Sequence, residues 1–169
     1  MTGDLDIGWL AGIIDGEGNF TIRVRENKEV SRGLGVRIQP QLTIVNTNEK
    51  IIRKVERILD DFGIKHGKVR VRRRDKEPCA KEWHKNSKPQ YIIEIFGTGL
   101  RKLLPMIKDI SCKKEEIEIV MKVLEMRYRG KGEWTEEELR KVFKLREKLV
   151  KLHGRQAVKL KKFEIEDFV

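Results

Sequence analysis

The sequence predicts an α+β fold in the order helix-β-β-helix-β-β-helices, a four-stranded antiparallel or mixed sheet with helices on one face. Three observations predict it. Hydrophobic spacing switches repeatedly between a period near 3.6 and a period of two. Capping residues and glycines fall at the switches. The 169 residues, 38% of them hydrophobic, suit one compact core, expected over residues 1–155 with a tail at 156–169.

The first helix sets Ile7, Leu10, Ala11 and Ile14 on one face. Gly8, Gly12 and Gly16 form a second stripe. Each glycine costs about 1 kcal/mol relative to alanine inside a helix, so three of them imply an offsetting gain, close approach by another helix. Gly18 is expected to end this helix in the left-handed conformation. Alternation then takes over. Phe20, Ile22 and Val24 oppose Thr21, Arg23 and Arg25, and after a polar connection from Glu26 to Gly35, Val36, Ile38, Leu42 and Ile44 oppose Arg37, Gln39, Gln41 and Thr43. Pro40 implies a bulge or an edge position. A second helix carries Ile51, Ile52, Val55, Ile58, Leu59 and Phe62 and closes at Gly63.

A third strand, Lys68 to Arg74, sets Val69 and Val71 against its basic residues, and a fourth runs from Tyr91 to Phe96. Between them lies a charged, irregular loop. A short helix through Leu100, Leu103 and Leu104 and a longer one with Ile117, Val120, Met121, Leu124 and Tyr128 follow. Gly130 and Gly132 break the chain. Thr135 and Glu138 have capping-box spacing at the start of a last helix, and Gly154 would end it.

Chemistry concentrates at the end of the first helix, Asp15-Gly16-Glu17-Gly18. A helix ends in roughly half a negative charge, so acids there are disfavoured by about 0.3–1 kcal/mol each. A cation should compensate, and a divalent metal is the obvious candidate. The chain as a whole is basic, with 38 Lys and Arg against 27 Asp and Glu, net +11, which points to a polyanionic partner. Charged residues dominated by Lys, Glu and Arg, with few Asn and Gln, fit a thermophile's surface. Cys79 and Cys112 are isolated, without metal-ligand spacing or a disulfide framework, and His66, His84 and His153 are scattered. No stretch approaches the length of a membrane helix and no signal-peptide pattern opens the chain. The expectation is an intracellular protein, cytoplasmic in a prokaryotic or archaeal cell, without a membrane partner.

If the apolar strand positions face the helices, the other face collects Arg23, Arg25, Arg37, Gln39, Gln41, Lys68, Arg70, Arg72 and Arg74. Lys68 to Arg74 holds five basic and no acidic residues in seven. Arginine matches the paired acceptors of guanine and glutamine the adenine edge, and a β-ribbon fits the major groove. No aromatic set interleaves them, so duplex DNA fits better than stacked single strands. A merely solvated face would mix Lys with Glu.

Leu10-Ala11-Gly12-Ile13-Ile14-Asp15-Gly16-Glu17-Gly18 resembles the motif that names the LAGLIDADG homing endonucleases. Six of nine positions match literally, Ile13 and Glu17 are conservative, and Gly16 keeps a small residue. The element order from about residue 5 to 128 is also similar to that family's. One motif in the chain implies a homodimer in which two such helices pack across a twofold axis through Gly8, Trp9, Gly12 and Gly16, below a saddle-like sheet. The resemblance implies hydrolysis of one phosphodiester on each strand of a long, roughly palindromic duplex. It implies Glu17 as the essential Mg2+ ligand, aided by the Gly16 carbonyl, with Lys113 as a basic catalytic residue and Asn46 or Thr47 as the polar residue that positions water. Thr47 is shorter than the amide often found there. Asn46 also suits a helix cap, Lys113 a solvated helix start, and Asp15 a structural bond near the helix end. Two rivals share the scaffold: an intron maturase that binds its host intron RNA, and a catalytically silent DNA-binding protein.

Overall fold

The computed structural model describes residues 2–26, 35–78, 81–128 and 134–154. Helix α1 (Thr2–Glu17) runs directly into strand β1 (Gly18–Glu26). Strand β2 (Val36–Asn46), helix α2 (Glu49–Asp61), strands β3 (Arg70–Arg72) and β4 (Gln90–Phe96), and helices α3 (Thr98–Ile107), α4 (Lys114–Tyr128) and α5 (Glu136–Leu152) follow. The strands form one antiparallel sheet in the order β1-β2-β4-β3. The α+β expectation and its element order hold. Among the described residues no helix is long and apolar enough to cross a membrane.

Two compact units divide the chain, Met1–Asn19 with Leu42–Cys112 and Phe20–Gln41 with Lys113–Val169. In the first, Leu10 and Ile14 of α1, Ile52, Val55, Ile58 and Leu59 of α2, Ile93 and Ile95 of β4, and Leu100, Leu103, Leu104 and Ile107 of α3 are buried. Helix α1 packs against α2 and α3, and both of those pack on β4. Asn48 begins α2, its side chain accepting from Lys50 N at 3.0 Å. A Schellman closure ends it: Gly63 has φ 59°, Gly63 N donates to Asp60 O, and Ile64 N donates to Leu59 O. Ile64, the residue after Gly63, is buried. Phe62 is the C-cap rather than a residue of the last turn.

In the second unit Phe20, Ile22, Val24 and Ile38 are buried. Helices α4 and α5 pair antiparallel, since Lys148 and His153 near the end of α5 reach Glu115 and Glu116 in the first turn of α4, at 2.8 and 3.2 Å. The expected capping box starts α5: Glu138 N donates to Thr135 Oγ1, and Thr135 N to Glu138 Oε2. Gly154 follows its end at φ 62°.

Four readings are corrected. Gly18 is not left-handed. A Cβ there would lie 2.5 Å from the Ile14 carbonyl oxygen, so glycine is needed for a close backbone approach. Pro40 is on β2, an interior strand in the sheet order, and the period of two persists across it, with Ile38, Leu42 and Ile44 buried. Strand β3 is only Arg70–Arg72, and Val71 is 53% exposed, because an edge strand of three residues has little core to cover. Gln41 is 1% exposed, so it offers no open edge. The expected breaks at Gly130 and Gly132, Cys79, most of the Glu26 to Gly35 connection, the Tyr128 side chain and the tail lie outside the described residues.

Candidate active site and nucleic-acid interface

The two carboxylates at the end of α1 have different surroundings. Asp15 is bonded within the chain. Ser111 Oγ donates to its Oδ1 at 2.5 Å, and Cys112 N donates to its Oδ2 at 3.0 Å. That bond fastens the residue preceding Lys113 to the end of α1, and it confirms a structural role for Asp15. Glu17 is exposed and makes no hydrogen bond or ion pair with a described residue. No basic residue lies in the last turn of α1 to offset it. The last carbonyls of a helix, Gly16's included, have no intrahelical partner, and a Cβ at Gly16 would meet nothing within 4 Å.

An exposed carboxylate beside a helix's carbonyl end is a hard oxygen donor set that fits Mg2+ or Ca2+. It is not a complete one. Among the described residues no three His, Cys, Asp or Glu side chains gather where they could hold a metal ion.

The glycine stripe is open. A Cβ at Gly8, Gly12 or Gly16 would meet nothing within 4 Å, and Leu5, which falls within the same stripe at 100° per residue, is 78% exposed. Trp9 sits beside it, half-buried under Lys54, whose Nζ lies 4.1 Å from the ring centroid.

Asn46 and Thr47 occupy the turn from β2 into α2. Asn46 Oδ1 accepts from Asn48 N at 2.8 Å. Asn46 therefore builds the turn that presents the cap, and Asn48 is the cap itself. Thr47 is exposed. Lys113 is half-buried immediately before α4, its carbonyl accepting from Ile117 N.

Of the expected cationic face, Arg25, Arg37, Lys68, Arg70 and Arg72 are exposed, and Arg23, Gln39 and Arg74 are half-buried. Arg74 lies in a short 3-10 turn beyond β3, its Nε buried without a hydrogen-bond partner among the described residues. Antiparallel register sets Arg70 opposite Ile92, Val71 opposite Tyr91 and Arg72 opposite Gln90. Since side chains alternate, Arg70, Arg72, Gln90, Ile92 and Glu94 share one face, and the buried Ile93 and Ile95 lie on the other. Arg70 Nη2 pairs with Glu94 Oε2 at 2.8 Å. Arg72 Nε pairs with Glu77 Oε1 at 2.5 Å, and its Nη2 reaches Glu77 Oε2 at 3.3 Å. The hydrogen bond from Arg72 holds the Glu77 carboxyl below the ordinary 4.5, and the same bond raises the Arg72 guanidinium.

Several of these residues were absent from the sequence reading. Gln90, Ile92 and Glu94 alternate visibly with Tyr91, Ile93 and Ile95, a signal the strand pattern carried. Ser111 left none, because its partner is 96 residues away in the chain.

The family model described as LAGLIDADG endonuclease matches residues 10–102, more than half of the chain. The chain belongs to the LAGLIDADG endonuclease family. Its fold is similar to that of solved homing endonucleases. One is I-CvuI in complex with the I-CreI target in the presence of magnesium, its DNA not cleaved, with a TM-score of 0.70 and 18% identity over 99% of this chain and 92% of that one. A second is the archaeal intron-encoded I-Vdi141I complexed with DNA, at 0.66 and 20% over 96% and 91%. A third is I-TnaI, at 0.59 and 21% over 88% and 95%. Comparison with curated protein sequences finds no match. In this member of the family the signature segment is thus the end of α1, with Asp15 bonded to Ser111 and Cys112 and Glu17 exposed.

Proposed function

We propose that this LAGLIDADG chain is a homodimeric, site-specific endonuclease that hydrolyses one phosphodiester on each strand of a long, roughly palindromic DNA duplex. The observation that carries this reading is the sorting of carboxylates at the end of α1: Asp15 is satisfied by Ser111 and Cys112, whereas Glu17 is exposed and unpaired among the described residues. A carboxylate kept in that place, against the helix dipole, suits a ligand from outside the chain.

Glu17 and the Gly16 carbonyl would hold Mg2+, and a bound divalent ion there lowers the pKa of water and offsets charge on the leaving oxygen. Among the described residues one protomer offers too few ligands for a closed site, so Glu17 of a second copy and the DNA phosphates would complete it. The open stripe of Leu5, Gly8, Gly12 and Gly16 provides the surface on which two α1 helices meet, with Trp9 at its margin. Residues 1–155 act as the endonuclease domain of each protomer. Lys113, whose preceding residue is tied to Asp15, supplies positive charge toward the developing phosphorane. Thr47 and Asn46 bear on water through their exposed turn. The cationic strands hold the duplex, with Arg23, Arg25, Arg37, Lys68, Arg70 and Arg72 on phosphates or bases.

Incubating the full chain with a randomised duplex library and sequencing the cut ends tests this reading. Cleavage at one family of pseudo-palindromic sites, present with Mg2+ and absent with chelator, is expected. Enrichment of bound duplexes with no product in any divalent ion would instead leave a silent DNA-binding protein, and binding confined to intron RNA a maturase.

A further inference from the structure

Acidic side chains on a surface that meets phosphates are a liability, yet two of them stand among the arginines of the β3 and β4 ribbon. Arg70 and Arg72 are the outermost positively charged side chains of that ribbon, 61% and 48% exposed. Each is already engaged, Arg70 by Glu94 and Arg72 by Glu77. If the arginines served only as charges for the backbone, each pairing would cancel half of their purpose, since a neutralised pair attracts no phosphate. Stability is a weak reason for the pairs, because each arginine is largely exposed, even where Glu94 beneath it is not, and pairs open to solvent contribute little.

We propose that Glu94 and Glu77 are positioning residues that fix the guanidinium groups of Arg70 and Arg72 in the orientation in which they meet a guanine edge. The inference rests on the DNA-binding reading above and assigns the specificity within it.

Geometry supports the assignment at Arg72 in detail. A guanidinium has two edges, each with two parallel N–H groups. Glu77 occupies the Nε and Nη2 edge. The edge formed by Nη1 and the second proton of Nη2 meets no hydrogen-bond partner among the described residues, and it matches the O6 and N7 acceptors of guanine in the major groove. A free arginine must give up its rotamer freedom on binding; one already braced has given it up in the folded protein. Arg70 is braced through Nη2 by Glu94 two positions along from its partner Ile92, a diagonal cross-strand pair. Gln90 stands directly opposite Arg72, where an amide can take an adjacent adenine, and Ile92 beside Arg70 offers apolar surface to a thymine methyl.

Lys68 is the internal contrast. It is exposed, just outside the strand, and a lysine binds phosphate as a point charge.

The test compares enrichment profiles of the full-length protein, in Ca2+ or in Mg2+ with Glu17→Gln, on a randomised duplex library for Glu94→Gln, Glu77→Gln and Lys68→Ala, with melting temperatures measured in parallel. Glu94→Gln and Glu77→Gln are expected to narrow the preference for guanine at one or two positions per half-site by roughly tenfold, while affinity for scrambled duplexes stays level or rises with the added positive charge. Lys68→Ala should weaken every duplex alike and leave the profile's shape unchanged. Glutamine variants whose profiles superpose on the parent at all positions overturn the buttress. So does a uniform loss resembling that of Lys68→Ala, or a loss accompanied by a fall in melting temperature that Glu94→Asp does not reverse. A parent protein that enriches no duplex removes the DNA-binding reading itself, and the buttress falls with it.

Discussion

At the scale of single residues, three glycines and two acids near one helix end behave differently for reasons of space and partner. Glu17→Gln keeps the size of the side chain and removes the charge. Cleavage should fall by about a hundredfold or more, as when a charge-stabilising group is lost from an active site, with duplex binding retained in a gel-shift assay. A variant that still cuts would remove Glu17 from the mechanism. Gly18→Ala acts elsewhere. The new methyl would press on the Ile14 carbonyl at 2.5 Å, and overpacking of this kind costs about 1–3 kcal/mol, measurable by urea unfolding. Gly8 and Gly12, whose added methyls would meet only space, should show no such loss in the isolated protomer. A stripe and a terminal glycine look alike in the sequence because both lack a side chain; only the neighbouring atoms separate them.

Among elements, α5 carries its own electrostatic support. Lys141 hydrogen-bonds Glu137 one turn earlier, holding the Glu137 carboxyl below its ordinary 4.5, while the same bond raises the Lys141 ammonium above 10.5. The depressed carboxyl contributes fully above pH 4.5 and loses that contribution as pH falls through its folded value. The raised ammonium contributes fully below pH 10.5 and loses it as pH rises through its folded value. The gap in melting temperature between the parent and Glu137→Gln should therefore stay constant from about pH 6 to 9 and close in acid. Because both groups are fully exposed, that gap should be small and shrink further in high salt. A gap that widens in acid would show the pair to be unimportant. Elements α2 and α5 were legible beforehand because Asn48, Gly63, Thr135 and Gly154 act on backbone groups a few residues away. Strand β3 is shorter than its sequence pattern, since the alternation of Val69 and Val71 cannot report that the sheet ends beside them.

For the whole molecule, the open face of α1 decides what assembles. Gly12→Leu places a bulky side chain where nothing in the protomer touches it, so each protomer should fold normally. If two α1 helices approach along this stripe, sedimentation should show a monomer at concentrations where the parent is a dimer, with cleavage lost. A dimer of full activity would move the interface elsewhere. Leu5 belongs to the same surface at 78% exposure, and its burial by a second copy would remove the largest apolar exposure among the described residues.

Local order was written into the amino-acid sequence: the helical and strand periods, the caps, the carboxylates at the end of α1 and the excess of arginine on alternate strand positions all act over a few residues. The tertiary structure decided what depends on atoms distant in the chain. It turned Asp15 to Ser111 and Cys112 and left Glu17 open. It buried Gln41 and exposed Val71. It set Glu94 against Arg70. Periodicity reports which face a residue occupies, and only the folded chain supplies the neighbour that meets it there.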